Sequence, residues 1–338
     1  MTKLRYLLIN VKSLRILFVV IIFIATVMCV IIWKNGWHQK FISASDFPFE
    51  VLGDYQTPIT RVEILNWDFQ GDDALQNNWN DSTWVLLVLG QSQAANHAQK
   101  MHQEIHPQIW NFYLADTFRI DTLNQIETAY VSNPKMVMAQ DPLKGASGDF
   151  GSVWIPLAHR AIDSLEIISR VILVPLAQGG TVARSWLPGG ILFENTRRSI
   201  AELKSKNIQI DQVIWHQGES DFVEKTNLET YYQQVRLIMV ELNMQLPEVP
   251  IYLAISTYIN TEEALMSKTP GVSLPLQQTQ LRLINDLPFL HKGVVSDSLV
   301  DVNLNQLPAL NILRFDGIHF SEIGQDILVN RWWSTLWN

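Results

Sequence analysis

Residues 84–89 read Trp-Val-Leu-Leu-Val-Leu, and Gly90-Gln91-Ser92-Gln93 follows at once. A short unbroken apolar run closed by glycine predicts a buried strand of a parallel sheet that ends in a tight loop. Further apolar runs lie at 168–175, 212–216, 251–256 and, more weakly, 293–296. Helix-like segments at 154–165, 195–206 and 228–242 fall between them. In the last of these, Tyr232, Val235, Leu237, Ile238 and Leu242 can share one face. A final helix is expected from Ser321, a favourable N-cap, through Trp332. Strands alternating with helices predict an α/β fold with a five-stranded parallel sheet covered on both faces. The stretch 99–148 breaks the alternation and reads as an insertion beside the strand ends, where long loops tend to carry function.

The N-terminus carries a separate signal. Residues 16–33 form an 18-residue run without a charge. As a helix it would span about 27 Å, close to the thickness of a bilayer's hydrocarbon core. Lys3, Arg5, Lys12 and Arg15 precede it, which favours a cytoplasmic N-terminus. The run ends Val30-Ile31-Ile32-Trp33, without the small residues of a signal-peptidase site. The expected layout is a cytoplasmic N-terminus at 1–15, a transmembrane anchor at 16–33, a juxtamembrane segment at 34–81 and a folded domain at 82–338. That domain would lie outside the cytoplasm, periplasmic or extracellular.

Composition removes several function classes. A net charge of −8 argues against a nucleic-acid partner, which would need a basic face. The single cysteine, Cys29, allows no intramolecular disulfide, and no Cys/His metal framework exists. His102 and His106 are four apart, but the intervening residues do not make H-E-x-x-H. No metal and no cofactor are expected.

The chemistry-bearing residues fall after strands, where open α/β sheets gather ligands. Ser92 follows the first run and is the candidate nucleophile. Gly179-Gly180-Thr181 follows the second, and glycines there let backbone amides approach an oxyanion. After the third comes Trp215-His216-Gln217-Gly218-Glu219-Ser220-Asp221, in which the Gln217 amide can donate to the same oxyanion. After the fifth comes Asp316-x-x-His319. His319 would take the serine proton and Asp316 would hold its tautomer. The order Ser…Asp…His is that of α/β hydrolases, although G-x-S-x-G is absent because position 94 is alanine. Gln91, Trp154 and Trp186, beside these turns, are candidate substrate contacts, the two tryptophans as sugar platforms. Glu219 is either a second carboxylate near His319 or a structural partner of the loops.

Gly90-Gln91-Ser92, Gly179-Gly180-Thr181, the run 215–221 and 316–319 resemble the four blocks of SGNH hydrolases. The segments 145–157, 179–190, 215–221 and 316–324 are similar to the sialate O-acetylesterase-like branch of carbohydrate esterases. The resemblance spans about residues 82–327. It implies a flavodoxin-like three-layer α/β/α fold and metal-free removal of acetyl groups from sugars. Ser92 would be the nucleophile, Ser92, Gly180 and Gln217 the oxyanion hole, and His319 with Asp316 the base and its orienter. Members commonly carry Asn directly after the serine, where this chain has Gln93. The expected partners are an acetylated carbohydrate and, through the N-terminal helix, a membrane. Two other readings use the same residues. One is an O-acetyltransferase, in which a sugar hydroxyl replaces water. The other is a non-catalytic glycan-binding envelope protein.

Overall fold

Strand β1, Thr83–Gly90, is buried along its whole length. It lies between β4 (Arg170–Pro175) and β5 (Gln212–His216), parallel to both. With both neighbours buried too, alternate residues can be apolar on either face, so the run is continuous rather than alternating. The computed structural model describes residues 82–114, 134–259, 271–299 and 312–337. The expected anchor at 16–33 and the segment at 34–81 lie outside the described residues. Among the described residues, no helix is long and apolar enough to cross a membrane.

The sheet has seven strands among these residues, in the order β3-β2-β4-β1-β5-β6-β7. The remaining strands are β2 (Ile109–Leu114), β3 (Pro134–Met138), β6 (Ile251–Ile255) and β7 (Leu290–Val295). This corrects the expectation of five parallel strands. Both additional strands come from the stretch read as an insertion, and β3 runs antiparallel to β2, so the sheet is mixed. The reason is positional. β3 is the outer strand and carries Pro134 and Lys135, residues that suit an edge and weaken a strand signal.

The helices are α1 (Trp154–Ser164), α2 (Ile191–Ser205), α3 (Glu219–Val223), α4 (Leu228–Gln245), α5 (Leu274–Asp286) and α6 (Glu322–Trp337). Trp84, Leu86 and Val88 of β1 pack with Trp154, Leu157, Leu328 and Trp332, so α1 and α6 cover one face. The crossovers through α2, α4 and α5 all progress in one direction along the sheet, which sends those helices to the other face. The result is a three-layer α/β/α arrangement. Ser321 caps α6 as its residue type suggests: its hydroxyl accepts the Gly324 amide at 3.1 Å. Because the chain passes from β4 over β1 to β5, three neighbouring strands end side by side. Their carboxyl ends deliver the Ser92, Gly179–Thr181 and Gln217–Asp221 segments to one edge.

Candidate active site

The Ser92 turn begins with Gly90 at φ +124°, where a side chain would strike the His216 carbonyl at 2.2 Å. Only glycine can make this approach. The Gln91 amide then bonds that same carbonyl at 3.0 Å, and Ser92–Ala94 forms one 3₁₀ turn. Beneath it, the buried Trp154 indole donates to the Ala94 carbonyl at 2.6 Å.

The glycine turn after β4 is fixed by its own side chains. Thr181 donates to the Gln178 carbonyl at 2.7 Å and accepts the Trp186 indole at 3.0 Å. The Gln178 amide bonds the Gly90 carbonyl at 2.9 Å, which ties this turn to the end of β1. Gly180 sits at φ +72° with open space around its Cα. Among the described residues, neither the Ser92 nor the Gly180 amide has a backbone acceptor.

Trp154 and Trp186 are 0% and 1% exposed. Neither presents a ring to solvent, which corrects their reading as sugar platforms. Each instead braces a turn through its indole N–H. Gln91 also braces: its side-chain oxygen accepts the Ser220 amide at 3.1 Å and lies 3.4 Å from the Gln217 amide nitrogen. Gln217 is fully buried, and its amide donates to Asp221 at 2.5 Å, with the Thr181 carbonyl at 3.3 Å. Its two hydrogens are thereby committed to holding the turns together. Asp221 accepts the Ala183 amide as well, at 2.8 Å.

The base segment lies against the nucleophile turn. Gln93, next to Ser92, donates to the carbonyl of Ile318, next to His319, at 2.8 Å. The His319 ring nitrogen Nδ1 meets Asp316 Oδ2 at 2.6 Å, and Asp316 Oδ1 accepts the Ile318 and His319 amides at 2.9 and 2.6 Å. Partial burial works to raise the Asp316 carboxyl, but the bonds from His319 and Ile318 outweigh it and hold it below the usual range. Asp316 therefore stays ionised, and His319 keeps Nε2 as the nitrogen able to take a proton.

Three groups near this pair escape sequence reasoning. Arg314 is buried, and its guanidinium donates to the carbonyls of Leu299 at 2.9 Å, Ser296 at 3.0 Å and Ile318. Gln93 and Arg314 thus share the Ile318 carbonyl. His97 stacks on His319, with ring centroids 4.9 Å apart and planes at 23°. Phe150 is 48% exposed and pairs with Phe315 at 6.0 Å, whose ring lies 6.4 Å from His319. Of these, only Arg314 carries a sequence signal: a charge set between Leu313 and Phe315, two residues before Asp316.

Glu219 falls on the structural side of its two readings. Its Oε1 accepts from Ser256, while Oε2 is buried without a partner among the described residues. Ser256 and Ser296 both meet His216 Nε2, at 3.1 and 3.2 Å. This buried group underlies the end of β5. Among the described residues, no cluster of three or more His, Cys, Asp or Glu is placed to hold a metal ion.

A family model described as carbohydrate esterase, sialic acid-specific acetylesterase, matches residues 82–287. The chain belongs to this family. A probable carbohydrate esterase of Arabidopsis thaliana is 34% identical over 97 residues, which cover 28% of this chain and only 37% of that protein. The X-ray structure of a protein from Arabidopsis thaliana matches 75% of this chain and 97% of its own, with a TM-score of 0.52 at 17% identity, a likeness of fold. The crystal structure of NanS matches 75% of this chain and 96% of its own at 14% identity and a TM-score of 0.47. Within the carbohydrate esterase family match lie Ser92, Gly180 and Gln217, while Asp316 and His319 fall beyond its end.

Proposed function

We propose that this carbohydrate esterase family member removes O-acetyl groups from a carbohydrate through an acetyl-enzyme on Ser92. The observation that carries the reading is the contact of the two loops: Gln93 holds Ile318, so the Asp316–His319 pair sits beside the Ser92 turn. Ser92 Oγ attacks the acetyl carbonyl as His319 Nε2 takes its proton. The carbon–oxygen bond to the sugar then breaks, and the same proton goes to the leaving sugar oxygen. Water, deprotonated by His319, attacks the acetyl ester, acetate leaves and Ser92 recovers its proton.

Developing negative charge on the carbonyl oxygen needs preorganised donors. The Ser92 and Gly180 amides have no competing backbone acceptors among the described residues and supply them. The Gln217 side chain, bonded to Asp221, holds these turns in place rather than donating directly. Phe150, with Phe315 behind it, offers the exposed aromatic face on which a sugar ring can rest.

The uncharged run at 16–33 supports a further part of the proposal, that the domain from residue 82 is held at a membrane outside the cytoplasm. Fractionation with N-terminal sequencing of the extracted protein tests it, and a mature chain starting after residue 33 would contradict a retained anchor. For the chemistry, the full chain is assayed on p-nitrophenyl acetate and an acetylated sugar. Turnover is expected in the wild type and none in Ser92→Ala, with an acetyl adduct trapped on the Ser92 peptide. Full activity in Ser92→Ala would reject the mechanism. Acetylated acceptor accumulating in place of acetate would make the same site a transferase.

A further inference from the structure

We propose that His97 is a positioning residue that holds the base and the oxyanion turn in one register, backing the His319 ring while Ser147 couples it to Gly179. The inference rests on the esterase reading for its kinetic consequences and on contacts alone for its geometry.

His97 is flanked by residues that are themselves fixed. The Asn96 amide bonds the Ser147 carbonyl at 2.9 Å, the Phe150 amide bonds the Asn96 carbonyl at 3.0 Å, and Ala98 exchanges two bonds with Gly151 at 2.9 and 2.8 Å. The imidazole between them occupies space that two glycines leave open. A side chain on Gly148 or on Gly179 would come within 2.8 Å of His97 Nε2. One face of the ring lies on His319.

The second link runs through Ser147. Its hydroxyl oxygen accepts the Gly179 amide at 2.6 Å. The hydroxyl proton is then left to donate, and His97 Nε2 is 3.5 Å away. With that proton directed at Nε2, His97 is neutral and carries its own proton on Nδ1. The groups facing it favour that state. Burial and the neighbouring His319 push His97 down to about 4, against opposing pulls from Asp316 and Asp149. A neutral ring can stay stacked on His319 in both charge states of the catalytic cycle, whereas a second cation would repel the imidazolium.

The contacts therefore form one path from His319 through His97 and Ser147 to Gly179 and the Gly180 amide. Loosening it would misplace base and oxyanion donors without removing either. Misplacement of that kind costs about ten- to a hundredfold in rate.

The test uses the full chain and four variants: His97→Ala, His97→Gln, Ser147→Ala and the double change of His97→Ala with Ser147→Ala. His97→Ala is expected to lower kcat on p-nitrophenyl acetate by about ten- to a hundredfold, with KM within about twofold. His97→Gln recovers part of that loss, because an amide oxygen can replace Nε2 as the acceptor for Ser147. Ser147→Ala costs less in the His97→Ala background than in the wild type, since the path is already cut. Melting temperature, followed in parallel, separates these effects from loss of fold. A nitrogen-15 spectrum of the imidazoles at pH 7 should show His97 neutral and protonated on Nδ1.

Wild-type kcat in His97→Ala would overturn the proposal. So would losses that simply multiply in the double variant, or a His97 protonated on Nε2 at pH 7. If the wild type hydrolyses no ester, the esterase reading fails on its own. The imidazole spectrum, compared between wild type and Ser147→Ala, then still decides whether the arrangement around His97 exists. Should His97→Ala fold poorly, His97→Gln and Ser147→Ala carry the kinetic arm.

Discussion

Asp316 is placed to do one thing for His319, and a single atom exchange tests it. In Asp316→Asn the side-chain oxygen can still accept the His319 or Ile318 amide, so the turn survives. The nitrogen that then faces His319 Nδ1 donates rather than accepts, which favours the wrong tautomer. A loss in kcat on the order of 10²–10⁴ is expected with little change in melting temperature. A kcat within threefold of wild type would show that Asp316 does not orient the base. Phe150 gives the complementary test, because the role proposed for it is to carry the sugar rather than to act in the chemistry. Removing an exposed aromatic face costs about 1 kcal/mol of contact, or roughly three- to tenfold in KM. Phe150→Ala is expected to raise KM for an acetylated sugar by that factor and to leave p-nitrophenyl acetate turnover unchanged. Equal effects on both substrates would remove Phe150 from the sugar site. The two residues also differ in how visible they are without coordinates. Asp316 and His319 announce themselves by spacing, three apart after a strand. Phe150 and His97 do not, since a lone aromatic or histidine in an irregular loop has no periodicity to say which way it faces. Trp154 and Trp186 mislead for the same reason, because position beside a glycine turn does not distinguish a brace below it from a platform above it.

Arg314 links elements that are distant along the chain. One guanidinium joins the end of β7, through Ser296 and Leu299, to the segment that carries His319, through Ile318. Its planar fork can reach three carbonyls at once, and the Tyr258 and Phe320 rings lie 4.7 and 4.2 Å from its centre. Arg314→Leu removes three bonds from a charged donor, each contributing about 1.5–3 kcal/mol. It leaves the Leu299 carbonyl without that partner, while Ile318 keeps Gln93 and Ser296 keeps the Leu299 amide. A fall in stability of about 3–5 kcal/mol is expected from urea unfolding, and Arg314→Lys should recover only part, because an ammonium lacks the fork. A wild-type urea midpoint in Arg314→Leu would show that the segment is held by other contacts. At this scale the reading of the sequence is good where burial is complete and poor at the sheet's edge. β1, β4, β5 and β6 are continuous apolar runs because helices cover both faces. β2 holds Asn111 and Tyr113 among its apolar residues, and β3 holds Pro134 and Lys135, so neither stands out from a loop. Arg314 is legible as an oddity, a charge between two apolar residues. Its three carbonyls are not, because they lie on strand ends and turns that only the fold brings together.

Across the whole molecule, buried titrating groups pull stability in opposite directions. Burial raises the Glu219 carboxyl to about 7, against a hydrogen bond from Ser256 and with some help from Asp297. Burial raises Asp141 to about 7 as well, despite bonds from His102 and Ser152. Between their unfolded values near 4 and about pH 7, the folded protein holds two protons that the unfolded chain has released, so these carboxyls make stability fall as pH rises. His97, pushed down to about 4, and His216, pushed down by burial to about 3, act the other way. Unfolded histidines bind protons near 6.5, so stability falls as pH drops below that value. The opposing slopes overlap from about pH 4.5 to 6.5, and each can be exposed by removing one of its groups. Glu219→Gln keeps the shape and an acceptor for Ser256 but cannot ionise. Whatever constant effect the substitution has on stability, the gap between variant and wild type must then grow in the variant's favour as pH rises through about 4.5 to 7, and level off above. Melting temperatures of both proteins at pH 5 and pH 8 measure it. A gap no more favourable to the variant at pH 8 than at pH 5 would mean that Glu219 is already ionised in the folded state. The buried Arg314, which faces it, would then be the reason.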